Sequence, residues 1–294
     1  MKITFLQDYD VFTYKGGAEM NDRRVIEAGL KLGIDFNFVF GGSNDIPPGE
    51  AFIISNSVSF PSKVIQEIAN TGKAIFFIHD YAFCKYRLFF PMADKCRVCS
   101  SVKLWEDIYM KALKLIFLSP LHRDVHYDAM PALKDKPYAI IPSTIDISNF
   151  DFRYGAITKL PNTACSVNTL LPFKGADNII EYIKKHPEIQ FDIISDNPAD
   201  YVLPSNAILH PRVAWENIQN FYAAHEFYVE LPSTPQPFNR TFIEAKLSGC
   251  KIITNELSGA FSYPELRNGS IDDINKILLD APNKFWREVL SCLS

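Results

Sequence analysis

Short apolar runs of strand length alternate along this chain with stretches whose apolar positions recur at helical spacing. In the first half, Ile3 to Leu6, Phe36 to Phe40, Phe52 to Ile54 and Ala74 to Ile78 read as strands, with helices from Ala18 to Leu32 and Ser62 to Asn70. Strands that are apolar at successive positions are buried on both faces, so the pattern predicts an α/β fold with a parallel sheet covered by helices. A second series predicts strands at Ala164 to Val167, Phe191 to Ser195, Phe227 to Leu231 and Lys251 to Thr254. Helices from Gly175 to Lys185, Trp215 to Ala224 and Thr241 to Ser248 separate them, and the chain closes on two short helical patterns, Asp272 to Leu279 and Asn283 to Leu293, punctuated by Pro282. Asp151 to Asn162, with Gly155 and Pro161, reads as the linker.

The expected organisation is an N-terminal Rossmann-like domain over residues 1-150, a second over 151-270, and helices over 271-294 that return to brace the first. The length of 294 residues suits two cores, since single ones rarely grow past roughly 250 to 300 residues. Two such sheets are expected to face each other across a cleft, with ligands beyond the carboxyl ends of the strands.

A hydrophobic content of 47% with 22% charged residues excludes the disordered and collagen-like classes. No apolar run approaches the ~18 to 20 residues of a membrane span. The N-terminal apolar stretch is too short for a signal peptide, so a cytoplasmic location is expected. The six cysteines form no paired framework, which suits a reducing compartment. Cys96 and Cys99 make a C-x-x-C pair with Cys84 and His79 upstream; the second half of a four-ligand zinc site lacks its spacing, so no metal is expected. The net charge of −4 conceals nine Lys and Arg against four acids between Lys73 and Arg123. That excess admits a negatively charged partner, with a solvated helical face as the blander and favoured explanation.

Four places could carry chemistry. The first strand leads into Tyr14-Lys15-Gly16-Gly17-Ala18-Glu19, where paired glycines and a helix start suit a phosphate or an acidic acceptor, while the absence of G-x-G-x-x-G spacing argues against a dinucleotide oxidoreductase. His79-Asp80-Tyr81 stands at a strand end, with Lys85 and Arg87 beyond it. Lys174-Gly175 at a helix mouth adds a cation to the helix dipole, a combination suited to a diphosphate. The loop from Leu231 presents Gln236, and the helix starting near Thr241 carries Glu244 in its first turn; amide and carboxylate suit sugar and ribose hydroxyls.

In order and spacing, Lys174-Gly175, Pro232-Ser233, Phe238 and Glu244-Ala245 resemble glycosyltransferase family 4, retaining enzymes of the GT-B fold whose C-terminal domain carries an R…K-G pair and P-S-x-x-E-x-F-G-x-x-x-x-E-A. Gly16-Gly17, His79-Asp80, Leu118-Ser119-Pro120, Asp146 with Phe150, and Ser258-Gly259-Ala260 extend the resemblance over most of the chain. It implies that Lys174 holds the donor diphosphate, Glu244 the ribose hydroxyls, Gln236 and neighbouring amides the transferred sugar, and His79 a sugar hydroxyl from the opposite domain. Gly16 and Gly17 would approach donor phosphate or acceptor, with Tyr14, Lys15, Asp80, Tyr81, Lys85 and Arg87 on the acceptor side. It also implies transfer with retention of anomeric configuration, from a nucleotide-diphosphate sugar and without a metal or other cofactor.

Three positions depart from the family pattern. Gln236 stands where the first glutamate is usual, Thr169 where the diphosphate arginine is usual, and Asn239 where glycine follows phenylalanine, with Arg240 as a replacement cation. Two readings follow: an active transferase of altered donor preference, or a catalytically silent relative that binds a nucleotide sugar or a protein partner. The basic stretch suggests an anionic acceptor, either a phosphorylated lipid or saccharide or a modified base in DNA.

Overall fold

Six parallel strands form the first sheet: β1 (Lys2–Gln7), β2 (Asp35–Phe40), β3 (Ala51–Ile54), β4 (Ala74–Phe77), β5 (Lys114–Phe117) and β6 (Tyr138–Ile140), in the order β2-β1-β3-β4-β5-β6. The computed structural model describes residues 1–14, 16–84, 86, 98–145, 147–150, 158–196 and 199–293. β3, β4 and β5 are buried at every position, as their apolar sequences require of strands covered by helices on both faces. Lys114 is the exception to apolarity, and its Nζ donates to Glu288 Oε2 at 2.7 Å.

Helices α1 (Gly17–Lys31), α2 (Ser62–Asn70), α3 (Ser100–Met110) and α4 (Pro120–Ala129) flank this sheet. The Leu118-Ser119-Pro120 motif is the start signal of α4: Ser119 Oγ accepts the His122 N–H at 3.0 Å, and Pro120 supplies the first helical position. His122 and His126 then face inward among Tyr81, Phe83, Tyr109 and Phe117, where burial holds both imidazoles neutral.

The second sheet is also all parallel: β7 (Leu160–Val167), β8 (Gln190–Ile194), β9 (Ala207–His210), β10 (His225–Val229) and β11 (Lys251–Ile253), in the order β11-β10-β7-β8-β9. Helices α5 (Ala176–Lys185), α6 (Trp215–Ala224), α7 (Arg240–Leu247) and α8 (Pro264–Asn268) accompany it. Lys159, in the expected linker, has a structural task. Its ammonium donates to the carbonyls of Ala223, His225 and Ser248 at 3.3, 2.8 and 3.0 Å, placing a cation at the carboxyl ends of both α6 and α7.

The chain divides into two units, Met1–Thr144 with Ile277–Ser294, and Ile145–Lys276. The closing segment is one helix, α9 (Ile271–Leu290), with Pro282 inside it, where two short helices were expected. Proline removes one helical hydrogen bond, but Ile274, Leu278, Ala281, Phe285 and Val289 recur at helical spacing and are all buried, so packing overrides the local break. Trp286 is fully buried and donates its Nε1–H to the Val25 carbonyl at 2.7 Å, while the Phe285 ring lies 4.8 Å from Phe77. Gly29, mid-helix in α1, is glycine because a Cβ would overlap the Trp286 ring. Among the described residues no helix is long and apolar enough to cross a membrane.

Burial lowers the pKa of His126 from 6.5 to about 4. The unfolded chain therefore takes up a proton that the folded chain refuses, and stability falls as pH drops through that window, by up to about 3 kcal/mol from this group. Urea midpoints measured at neutral and mildly acidic pH are expected to show this loss, and His126→Phe to shrink it; an unchanged pH dependence in the variant would contradict the assignment.

Candidate functional site

Each sheet has a topological switch point, where successive strands leave in opposite directions: between β1 and β3 in the first, and between β7 and β10 in the second. Crevices at the carboxyl ends beside such points are the usual ligand sites of parallel α/β sheets. The candidate residues collect at both.

In the second unit the loops after β7 and β10 are pressed backbone to backbone. Gly175 has φ 88°, and a Cβ on it would overlap the Leu231 carbonyl oxygen and crowd Pro232, so only glycine allows the approach. Side chains stitch the same two loops together. Asn178 Nδ2 donates to the Leu231 carbonyl at 3.0 Å, and Thr234 Oγ1 to the Phe173 carbonyl at 3.3 Å. Lys174 is thereby carried to Gln236, its Nζ donating to Gln236 Oε1 at 2.5 Å. The amide is held from its other end as well, Nε2 donating to the Thr234 carbonyl at 3.0 Å, and the Gln236 N–H donates to the Leu257 carbonyl at 2.8 Å. Burial lowers the Lys174 pKa, with the Glu230 carboxylate opposing that effect.

Glu230 is the functional candidate that motif reading misses. It follows β10, is 2% exposed, and gathers Ser258 Oγ at 2.6 Å, Asn239 Nδ2 at 3.1 Å, Tyr228 OH at 3.3 Å and Thr254 Oγ1 at 3.4 Å. Burial raises its pKa, and these donors together with the Lys174 charge pull it back down. Asn239 explains one departure from the family pattern. Its φ of 64° is the left-handed conformation that glycine supplies elsewhere and asparagine tolerates, and its side chain adds a tie to Glu230. The sequence signal was a glutamate inside the otherwise apolar run Phe227 to Leu231.

Glu244 is the fifth residue of α7, in its second turn rather than the first, and is 6% exposed. Tyr222 OH donates to its Oε2 at 3.3 Å, Arg240 Nε stands 3.9 Å from Oε1, and burial raises its pKa. Phe238 is 3% exposed, its ring packed inside the unit. Thr169 is half-buried in the turn after β7, its carbonyl accepting the Leu171 N–H at 2.8 Å.

In the first unit, Asp8, Tyr9, Tyr14, Gly16, Gly17, Glu19, Asn56, Ser59, His79 and Asp80 are among the residues lining a cavity of about 560 Å³. His79 Nε2 lies 2.9 Å from Asp22 Oδ1, and the same buried carboxylate is hydrogen-bonded by Ser55 Oγ. Asp22 thus orients the imidazole, a positioning residue the motifs did not indicate. At the Gly16-Gly17 turn the Glu19 carboxylate folds back so closely that a Cβ on Gly16 would overlap it. Burial is the largest cause raising the Glu19 pKa, with further contributions from Asp22 and Asp8.

Tyr81 is not on this cavity. It is 1% exposed, with its ring among Phe83, His122 and His126, because the chain turns inward after β4. Lys15, Lys85, Arg87, Cys96 and Asp146 lie outside the described residues. Among the described residues, no group of three or more His, Cys, Asp or Glu is arranged to hold a metal ion.

No known family model matches the chain, and no curated protein matches it. Solved structures do. The sucrose-phosphate synthase of Thermosynechococcus elongatus is similar over 99% of this chain and 94% of its own, with a TM-score of 0.66 at 14% identity. HepE of Anabaena, in complex with UDP and glucose, is similar over 100% and 93%, with a TM-score of 0.58 at 14% identity. An alpha-glucosyltransferase in complex with UDP is similar over 100% and 94%, with a TM-score of 0.54 at 11% identity. The likeness is one of fold: two parallel sheets with flanking helices, the GT-B fold of glycosyltransferases.

Gly175→Ala is expected to destabilise the second unit by about 2 kcal/mol or more, since both the backbone conformation and the contact with Leu231 forbid a Cβ. Thermal unfolding would measure it, and a variant as stable as the parent would show that the two loops are not pressed together.

Proposed function

We propose that this protein is a glycosyltransferase that moves a sugar from a nucleotide-diphosphate donor to an acceptor hydroxyl, without a metal and with retention at the anomeric carbon. The observation that carries the reading is the Lys174–Gln236 pair at the switch point of the second sheet, beside the start of α5. A desolvated ammonium next to a helix N-terminus is unfavourable alone and is relieved by a diphosphate. As the bond between anomeric carbon and diphosphate oxygen breaks, the negative charge growing on that oxygen is met by Lys174 and the helix dipole. The acceptor oxygen bonds to the same carbon from the same face, and its proton passes to the departing diphosphate. Gln236 and Glu244 are assigned to sugar and ribose hydroxyls, and His79, oriented by Asp22, to a sugar hydroxyl. Retention is supported by the sequence resemblance. The fold neighbours HepE and the alpha-glucosyltransferase were solved with UDP, which makes a UDP-sugar the first donor to try.

A second reading, a silent relative that binds a nucleotide sugar, is favoured by Gln236 itself: its neutral amide occupies the Lys174 ammonium where the family has a carboxylate. Slow release of free sugar from the donor separates the two, because a silent protein releases none.

Titration calorimetry with UDP-, GDP- and ADP-sugars is expected to find a donor, and Lys174→Ala to weaken it by roughly a hundredfold. Transfer is expected to persist in excess EDTA. Absence of binding by every donor, or an unchanged affinity in Lys174→Ala, would refute the function.

A further inference from the structure

The cavity of the first unit has a composition that selects among acceptors. Its described lining carries the carboxylates of Asp8, Glu19 and Asp80, and among the described residues no Lys or Arg lines it. Three described cations of the basic stretch that suggested an anionic acceptor have partners of their own. Lys114 is bonded to Glu288, Lys111 Nζ donates to Asn70 Oδ1 at 2.7 Å, and Arg123 pairs with Asp124 at 2.7 Å.

On the same cavity, Tyr9 and Tyr14 stack with ring centroids 4.7 Å apart and planes at 26°, and remain 54% and 52% exposed. The stack is built before any ligand arrives. The turn between the two tyrosines is closed by the Tyr14 and Thr13 N–H groups donating to the Asp10 carbonyl at 2.8 and 3.2 Å, and Asp10 Oδ1 accepts the Phe12 N–H at 2.9 Å. The floor is fixed as well: Asp8 Oδ1 accepts Ser59 Oγ at 2.7 Å and the Ser59 N–H at 2.9 Å. Glu19, only 5% exposed, lines the same cavity.

A flat aromatic face and carboxylates on one cavity match one chemistry well. The C–H face of a pyranose ring packs on an aromatic ring, and its hydroxyls donate to carboxylates, with no charge on the ligand to be repelled. A phosphate in the same cavity would meet three acids and no described basic side chain except the His79 imidazole.

We infer that this cavity binds an uncharged saccharide ring, stacked on the Tyr9–Tyr14 pair and hydrogen-bonded by Asp8, Glu19 and Asp80, as the acceptor. The inference rests on the transferase reading for the word acceptor, while the binding site itself stands on the first unit alone.

The test is saturation-transfer NMR and calorimetry on the full chain with methyl glycosides of common hexoses, a hexose phosphate and a duplex DNA. Wild type, Tyr14→Ala and Tyr9→Ala are compared in low and high salt, each also titrated with UDP, GDP and ADP. A neutral glycoside is expected to bind with little salt dependence, and loss of either ring to weaken it about tenfold. Tighter binding of the hexose phosphate or of DNA, falling steeply with salt, would overturn the inference. So would unchanged glycoside binding in both tyrosine variants, or no glycoside bound by wild type. The nucleotide titrations keep the two ideas apart: intact nucleotide binding without a saccharide sinks only the acceptor, whereas saccharide binding with none of the three nucleotides bound sinks the donor reading and leaves the cavity's ligand class supported.

Discussion

The backbone contact between Gly175 and Leu231 is the constraint on which the candidate donor site depends. Two loops that leave neighbouring strands in opposite directions are brought closer than any side chain would allow. Everything polar nearby follows from that approach. Asn178 and Thr234 reach across it, Lys174 meets Gln236, and the helix start of α5 is left facing the same crevice. A missing Cβ is thus worth more here than any single charged group, because the charges have no defined partners until the loops touch.

Around that contact the second unit tolerates buried charge by surrounding it with donors. Glu230 would be expensive to bury alone, yet hydroxyls and an amide from four separate segments converge on it. One side chain therefore holds the loop before α7, the end of β11 and the segment at Ser258 in register, with the Lys174 charge close enough to be felt. The first unit solves a similar problem with Asp22, which is enclosed by Ser55 and His79. In both units a buried acid ties together groups from segments distant in sequence.

Much of this was legible in the sequence. Apolar runs announced the strands from β1 to β4, most plainly β3 and β4, where burial on both faces leaves every position apolar. β6 and β9 were not, since they are short and mostly exposed or half-buried. Pro282 misled for the converse reason: a local rule predicts a break, and only the partners of Phe285 and Trp286 show why the helix continues. At the site, motif spacing located Lys174, Gly175, Gln236 and Glu244, whose types announce their chemistry. Glu230 and Asp22 stayed hidden because each works through neighbours far away in sequence. Tyr81 followed a strand end and looked accessible; its burial depends on α4, which no local pattern reveals.

The placement of Trp286 bears on how the chain comes to be folded at all. Its indole fills the space against Phe36 and over Gly29, so the N-terminal sheet lacks a wall until the residues of α9 have been translated. On the ribosome the second unit can complete its own sheet first, while the earlier-made one waits with an apolar face uncovered. Nascent chains of this protein should therefore depend on chaperone protection for their oldest part and not for their newest.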